Sequence, residues 1–239
     1  MAVIAWRKEN NVAIVEMCNG LNQMNKVFTE SMNQCFDEVL EDSEIQAMVL
    51  TSTDEKNFSQ GVDVQWVGGK LAAQENQEVI DFMYGMNAVF KRLLLFPVPA
   101  VAAINGHAYG NGAIMSCACD FRFMRKDRGF FCFPEVDVSI PFLPGMIGFV
   151  RKAVPEPQFN QMLLSGQRAS AVELEAANVI VKACDKEALL PEAVAYAGAF
   201  GKKRGIFSEL KKRMHKELVR IIDEEDPEYI DALNLFVAD

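Results

Sequence analysis

Apolar and polar positions alternate at the start of the chain, so residues 3–6 and 12–16 predict two strands, with Glu9, Asn10 and Asn11 as the turn between them. Over residues 26–40 the period changes. Val27, Met32, Phe36, Val39 and Leu40 recur at helical spacing, with polar residues between them. Residues 47–53, AMVLTST, read as a β-branched apolar strand, and a loop, DEKNFSQGVD, follows. Residues 77–95 predict a helix that ends before Pro97.

A buried strand is predicted at residues 98–106, VPAVAAING, and a buried helix at residues 113–119, opened by Gly106, Gly110 and Gly112. FRFMR and GFFCF predict two more strands. From Gly145 onward the pattern is mainly helical, with breaks expected at Pro155, Pro157, Gly166 and Pro191. One charged amphipathic helix, FSELKKRMHKELVRIIDEED, is expected near the end. Strands alternating with helices place the chain in the α/β class.

Composition narrows the function classes. The chain has 239 residues, half of them hydrophobic, which suffices for one large core or a core with a helical appendage. A net charge of −9 argues against a nucleic-acid partner, because no basic footprint is present. Six cysteines form no CxxC pair, and with only His107 and His215 as histidines a zinc site or a Ser/His/Asp triad is poorly supplied. Small buried thiols in a reducing compartment are expected instead. The first residues lack the apolar core of a signal peptide, no run is long enough to span a membrane, and the final NLFVAD carries no targeting tripeptide. A cytoplasmic protein without a membrane partner is expected.

Chemistry concentrates in three places. NFSQGVD and GHAYGNGA each offer flexible backbone N–H groups beside a helical segment, where unpaired donors favour negative charge. Two such groups converging on one oxygen make an oxyanion hole, although glycine loops also serve as simple turns. The third place is FCFPEVDVSIPF. Glu135 stands there among Phe133, Pro134 and Val136, where desolvation raises a carboxyl pKa and suits it to act as a base near neutrality. The alternatives are a surface acid on a loop, or a partner for Arg122, Arg125 or Arg128.

NFSQGVDV, VPAVAAINGHAYGNGAIMSCACDFRFM and FPEVDVSI, in this order, resemble the crotonase (enoyl-CoA hydratase/isomerase) superfamily. The most specific signatures are F-x-x-G-x-D and G-x-x-x-G-x-G…C-D. The resemblance implies an α/β fold, a spiral of ββα units over residues 1–190, followed by a C-terminal helical trimerisation region at 191–239. It implies an acyl-CoA thioester substrate, no separate cofactor, no metal, and a homotrimer or hexamer. By motif position the oxyanion amides belong to Val62, after Gly61, and to Asn111, after Gly110. Asn111 replaces the commoner glycine, and its side chain is expected to crowd or contact the acyl group. Lys56 takes the basic position before the first loop, where family members contact a CoA phosphate. Lys211 and Lys212 are further phosphate candidates, or part of a solvated face. Phe131, Phe133, Phe142, Met146 and Phe149 are candidates to line an acyl pocket, or plain core.

Within the family, hydratases use two glutamates. The first position is Ile114 here, and only the second, Glu135, is kept. Dienoyl-CoA isomerases use aspartates at the positions of Ile114 and Leu143, both apolar in this chain. MRKDRGFF resembles the corresponding run of shorter isomerases. The resemblance therefore implies a Δ3,Δ2-enoyl-CoA isomerase with Glu135 as sole acid/base. The alternatives are a hydratase, another CoA-thioester enzyme, or an acyl-CoA-binding protein without turnover. Asp63 is expected to cap a helix, Asp120 to be structural, His107 to pack or hydrogen-bond, and His215 to lie on an exposed face.

Overall fold

The computed structural model describes residues 2–237, so the outermost ends of the two expected regions, residues 1 and 238–239, lie outside it. The chain opens with β1 (Ile4–Glu9) and β2 (Val12–Met17), an antiparallel hairpin in which Glu9 pairs with Val12 and Asn10 takes the tight turn at φ 54°. Helix α1 (Lys26–Glu41) follows, capped by Asn25, whose side chain accepts from the Phe28 N–H. Its buried stripe is Phe28, Met32, Cys35, Phe36 and Val39. Val27, expected on that face, falls one position off the stripe and is exposed.

From here the chain repeats one manoeuvre. Strand β3 (Ala47–Ser52) joins a large sheet, β4 (Asn57–Ser59) a small one, and α2 (Val64–Ala72) and α3 (Asn76–Leu94) follow. Next come β5 (Ala100–Ile104), β6 (His107–Tyr109) and α4 (Asn111–Ala118), then β7 (Phe121–Arg125), β8 (Phe131–Cys132), a 3-10 turn (Glu135–Asp137) and α5 (Pro144–Ala153). The large sheet runs β1-β2-β3-β5-β7-β9 and the small one β4-β6-β8, with every pairing after the hairpin parallel. This is the expected spiral of ββα units. Helices α6 (Glu156–Ser165) and α7 (Ala171–Ala176), strand β9 (Lys182–Cys184) and four helices complete the chain: α8 (Lys186–Gly198), α9 (Arg204–Met214), α10 (Lys216–Glu224) and α11 (Asp226–Asp231).

Period-two burial explains the long apolar runs. In β2, β3 and β5, Ala13, Val15, Met48, Leu50, Ala102 and Ile104 face the main core with α1, α3 and α4. The intervening Val12, Ile14, Val49, Val101 and Ala103 pack under Leu189, Ala193 and Ala197 of α8. Strands covered on both faces have no polar alternation to show. Helix α4 is likewise buried on every side, so it carries no amphipathic signature.

Several expectations change. The loop before Val62 contains β4, and β6 and β9 were not expected; at three residues each they are too short for periodicity. Pro191 does not break α8: it and Glu187, whose carbonyl it leaves without a helical donor, are both exposed residues. The 190/191 division thus falls inside α8. The charged terminal helix is three helices, with the first break at half-buried His215, which is not on an exposed face. Lys211 is buried against Asp120 at 2.9 Å, which removes it as a phosphate ligand and gives Asp120 its structural role. Among the described residues no helix is long and apolar enough to cross a membrane.

Candidate active site

Each strand of the small sheet delivers one candidate residue just past its carboxyl end. Val62 lies three residues beyond β4, Asn111 two beyond β6, and Glu135 three beyond β8. Parallel strands in register therefore bring together residues far apart in sequence, at the sheet end where α/β folds commonly bind ligands.

The first loop is fixed by its backbone. Gln60, Gly61, Asp63 and Val64 all spend their N–H groups inside the fold, on the Leu21 carbonyl, the Ser59 hydroxyl, the Met24 carbonyl and the Val62 carbonyl. Asn22 braces the same segment from below, donating to the Ser52 hydroxyl at 2.7 Å and the Phe58 carbonyl at 3.0 Å. Among the described residues, the Val62 N–H has no partner, a rare condition for a backbone donor that lines a cavity. Asp63 caps α2 as expected, accepting from the Trp66 N–H at 3.0 Å.

The second donor is set by the start of α4, where helical amides lack intrahelical acceptors. The Gly110 N–H is tied to the Cys132 carbonyl at 3.0 Å, and the next amide, Asn111, has no partner among the described residues. Two glycines measure how closely the loops approach. Gly61 has φ +78°, and a Cβ there would lie 2.8 Å from the Tyr109 carbonyl oxygen and 3.2 Å from the Asn111 nitrogen. Gly110 has φ +51°, and a Cβ there would lie 3.0 Å from Glu135 Oε1. A side chain at either position would push the donors or the carboxylate apart.

Glu135 occupies the 3-10 turn behind Pro134, with its backbone carbonyl held by the Val138 and Ile140 N–H groups. Its residue is 9% exposed, and Oε2 is buried without a hydrogen-bond partner. Burial raises its pKa from 4.5 to about 7, opposed only in part by its own backbone N–H. The arginine-paired alternative does not occur: Arg122 is spent on backbone carbonyls and Arg125 on Asp127.

These groups open onto a cavity of about 630 Å³. Val62, Gly61, Gly110, Asn111 and Glu135 all line it, and Glu135 is its one acidic residue among those described. Ile114 is fully buried in the core, and Leu143 presents an apolar wall. Of the apolar candidates, Met146 lines the cavity. Phe142 does not: its ring packs edge-on against Phe133, and Phe131, Phe133 and Phe149 are core. The Asn111 side chain donates to the Met86 sulfur on α3. Lys56 is exposed and outside the lining; its carbonyl accepts from the His107 N–H at 2.8 Å. His107 packs beside Tyr109 and Phe130 and accepts from the Phe130 N–H.

Other lining residues went unforeseen: Gln23, Tyr109, Met83, Leu235 and Phe236. Nothing local marks Leu235, which reaches the cavity from the far end of the chain.

A sequence model of the family described as enoyl-CoA hydratase/isomerase matches residues 7–231. Enoyl-CoA delta isomerase 3 of Arabidopsis thaliana is 28% identical over 190 residues, covering 74% of this chain and 76% of that protein. A short-chain-enoyl-CoA hydratase of Clostridium acetobutylicum is 28% identical over 214 residues, covering 88% and 79%. The solved apo structure of an enoyl-CoA isomerase from Mycobacterium tuberculosis superposes with a TM-score of 0.86 at 21% identity, covering 97% of this chain and 98% of that one; this likeness bears on the fold.

Proposed function

The chain belongs to the enoyl-CoA hydratase/isomerase family, and from that premise we propose that it is a Δ3,Δ2-enoyl-CoA isomerase. The observation that carries this reading is that, among the described residues, one buried carboxylate, Glu135, lines the cavity. Hydration needs one group to activate water and another to deliver a proton, whereas moving a double bond by one position needs one group that takes a proton and gives it back.

In this reading the thioester carbonyl oxygen sits between the Val62 and Asn111 amides. Glu135 as carboxylate takes a proton from C2 of the 3-enoyl ester, and the electron pair passes into a dienolate whose negative oxygen the two amides hold. Protonated Glu135 then returns the proton to C4, leaving the 2-trans ester and the starting carboxylate. A base with a pKa of about 7 suits both halves of the cycle near neutral pH. Each amide aimed at the developing charge contributes about 3 kcal/mol to the barrier reduction.

The test is a parallel assay on a 3-enoyl-CoA and a 2-trans-enoyl-CoA, with Glu135→Gln as control. Formation of the 2-trans ester, lost in the variant, supports isomerisation. Hydration of the 2-trans ester would overturn the one-carboxylate reading. A homotrimer or hexamer is also proposed: Ile206, Leu210 and Met214 form an exposed apolar stripe along α9 that none of the described residues covers. Light scattering coupled to size exclusion checks it, and a monomer would refute it.

A further inference from the structure

The cavity lining changes character from one set of elements to another. Gln23 and Gln60 come from the loops after β2 and β4, and Tyr109 and Asn111 from β6 and the start of α4, whereas α2, α3 and α5 contribute Val67, Met83 and Met146. The apolar part is completed by Leu235 and Phe236, from the segment after α11. Leu235 is 8% exposed and belongs to the main core, while Phe236 is half exposed at the rim.

The two helices that lead into that segment are anchored by a row of polar contacts. Tyr84, Asn87 and Lys91 stand three and four residues apart on α3 and so form one stripe. They meet the carboxylates of the last helices in reverse order: the Tyr84 hydroxyl donates to Asp231 at 2.8 Å, Asn87 Nδ2 to Asp226 at 2.8 Å, and Lys91 Nζ to Asp223 at 2.6 Å. Asp226, fully buried, also accepts from the Gly145 N–H at 2.7 Å at the start of α5. Beyond Leu235, the Val237 N–H donates to the Ser139 carbonyl at 3.0 Å, in the loop that leaves Glu135. The segment is thus tied to the helices that carry Met83 and Met146 and to the loop that carries the base.

We propose that Leu235, with Phe236 at the rim, is the specificity-determining wall of the acyl cavity, supplied by the same protomer as Glu135, and that it limits the length of acyl chain accepted. The proposal rests on the acyl-CoA reading above. An aliphatic chain lying along Val67, Met83 and Met146 gains affinity with each methylene it buries, until it meets a side chain held too firmly to yield. The packing of Leu235 in the core and the Val237–Ser139 hydrogen bond supply that firmness, with buried Asp226 holding the helix before it.

The experiment is calorimetric titration of saturated acyl-CoA esters, lengthened two carbons at a time, into the full chain and its Leu235→Ala and Leu235→Phe variants. Saturated esters isolate binding from turnover. Wild-type affinity is expected to rise by roughly fourfold per buried methylene and then stop rising. Leu235→Ala should move that break to longer esters, with the first ester beyond it gaining roughly tenfold. Leu235→Phe should move it to shorter ones. An unchanged break in both variants overturns the wall, and so does an equal loss at every length, which would make Leu235 a support of the fold only. If the wild-type chain binds none of the esters, the thioester reading itself fails and the wall falls with it.

Discussion

Replacing Glu135 by Gln removes a charge while nearly preserving shape, and its consequences for stability can be worked out without reference to substrate. In the folded chain the carboxyl is buried, Oε2 has no partner, and the pKa stands at about 7 against an ordinary 4.5. At a pH below 4.5 both folded and unfolded chains carry the proton. Between the two values the folded chain holds a proton that the unfolded chain has released, so stability falls as pH rises. Above about 7 the loss is complete. At 1.36 kcal/mol per pH unit, it amounts to about 3 kcal/mol.

The glutamine variant lacks this dependence. Its amide is also poorly partnered, which costs about 1–3 kcal/mol, but that cost is the same at every pH. The decisive quantity is therefore the change in the difference between the two proteins, measured by urea unfolding across a series of buffers. The variant should gain on wild type by about 3 kcal/mol between about pH 4 and pH 8. A constant difference would mean that the carboxyl is not desolvated, and the basis for treating it as a neutral-pH base would go. With substrate, wild-type kcat/KM should rise with pH through about 7 as the carboxylate form accumulates, and the variant should show no such limb.

Gly61→Ala places a Cβ 2.8 Å from the Tyr109 carbonyl oxygen at a positive φ; displacement of one amide donor should lower kcat by about 10²–10³-fold, measured beside a thermal melt that shows the fold intact. Lys211→Met leaves Asp120 buried without its cation and should cost about 3–5 kcal/mol in chemical unfolding, with part of the loss recovered when Asp120→Asn is added. His215 is held neutral by burial and by Lys152 and Lys211, which lower its pKa from 6.5 to about 4. The unfolded chain binds the proton first, so stability should fall as pH drops through that interval, and His215→Phe should flatten the acid limb of the melting profile.

What the sequence disclosed follows from which signals are local. The hairpin, α1, α3 and the strand cores at β3, β5 and β7 lie within a few residues of their expected bounds, because each is long enough for its burial pattern to register. Strands β4, β6 and β8 have no periodicity to read at two or three residues, yet they are what positions the site. The glycine loops and Glu135 are legible from residue type and surroundings, whereas the two particular amides, Val62 and Asn111, come from motif resemblance. The contrast is sharpest at Lys211 and Phe142. One looked like a solvated cation on an amphipathic helix, the other like an acyl-pocket aromatic. Packing decided otherwise, since Asp120 and the Leu93 carbonyl claim the lysine and Phe133 claims the ring.

The small sheet also explains why this site can keep a single carboxylate and retain its geometry. Val62, Asn111 and Glu135 are each carried by a separate turn of the spiral and held by backbone contacts: the Gly61 carbonyl to Met24, the Gly110 amide to Cys132, and the Glu135 carbonyl to Val138 and Ile140. None of these contacts depends on the side chains at 114 or 143. Apolar residues there leave the Val62 and Asn111 amides and Glu135 where they are, and Glu135 is the one acid lining the cavity among the described residues. Position 114 faces a core in which an unpaired carboxylate would be costly, so adding an acid there exacts a stability penalty before it can serve catalysis. Position 143 is different, because Leu143 already borders the cavity and a carboxylate there could reach water. Of the two apolar replacements, Leu143 is therefore the one at which a second acid could be restored without rebuilding the core.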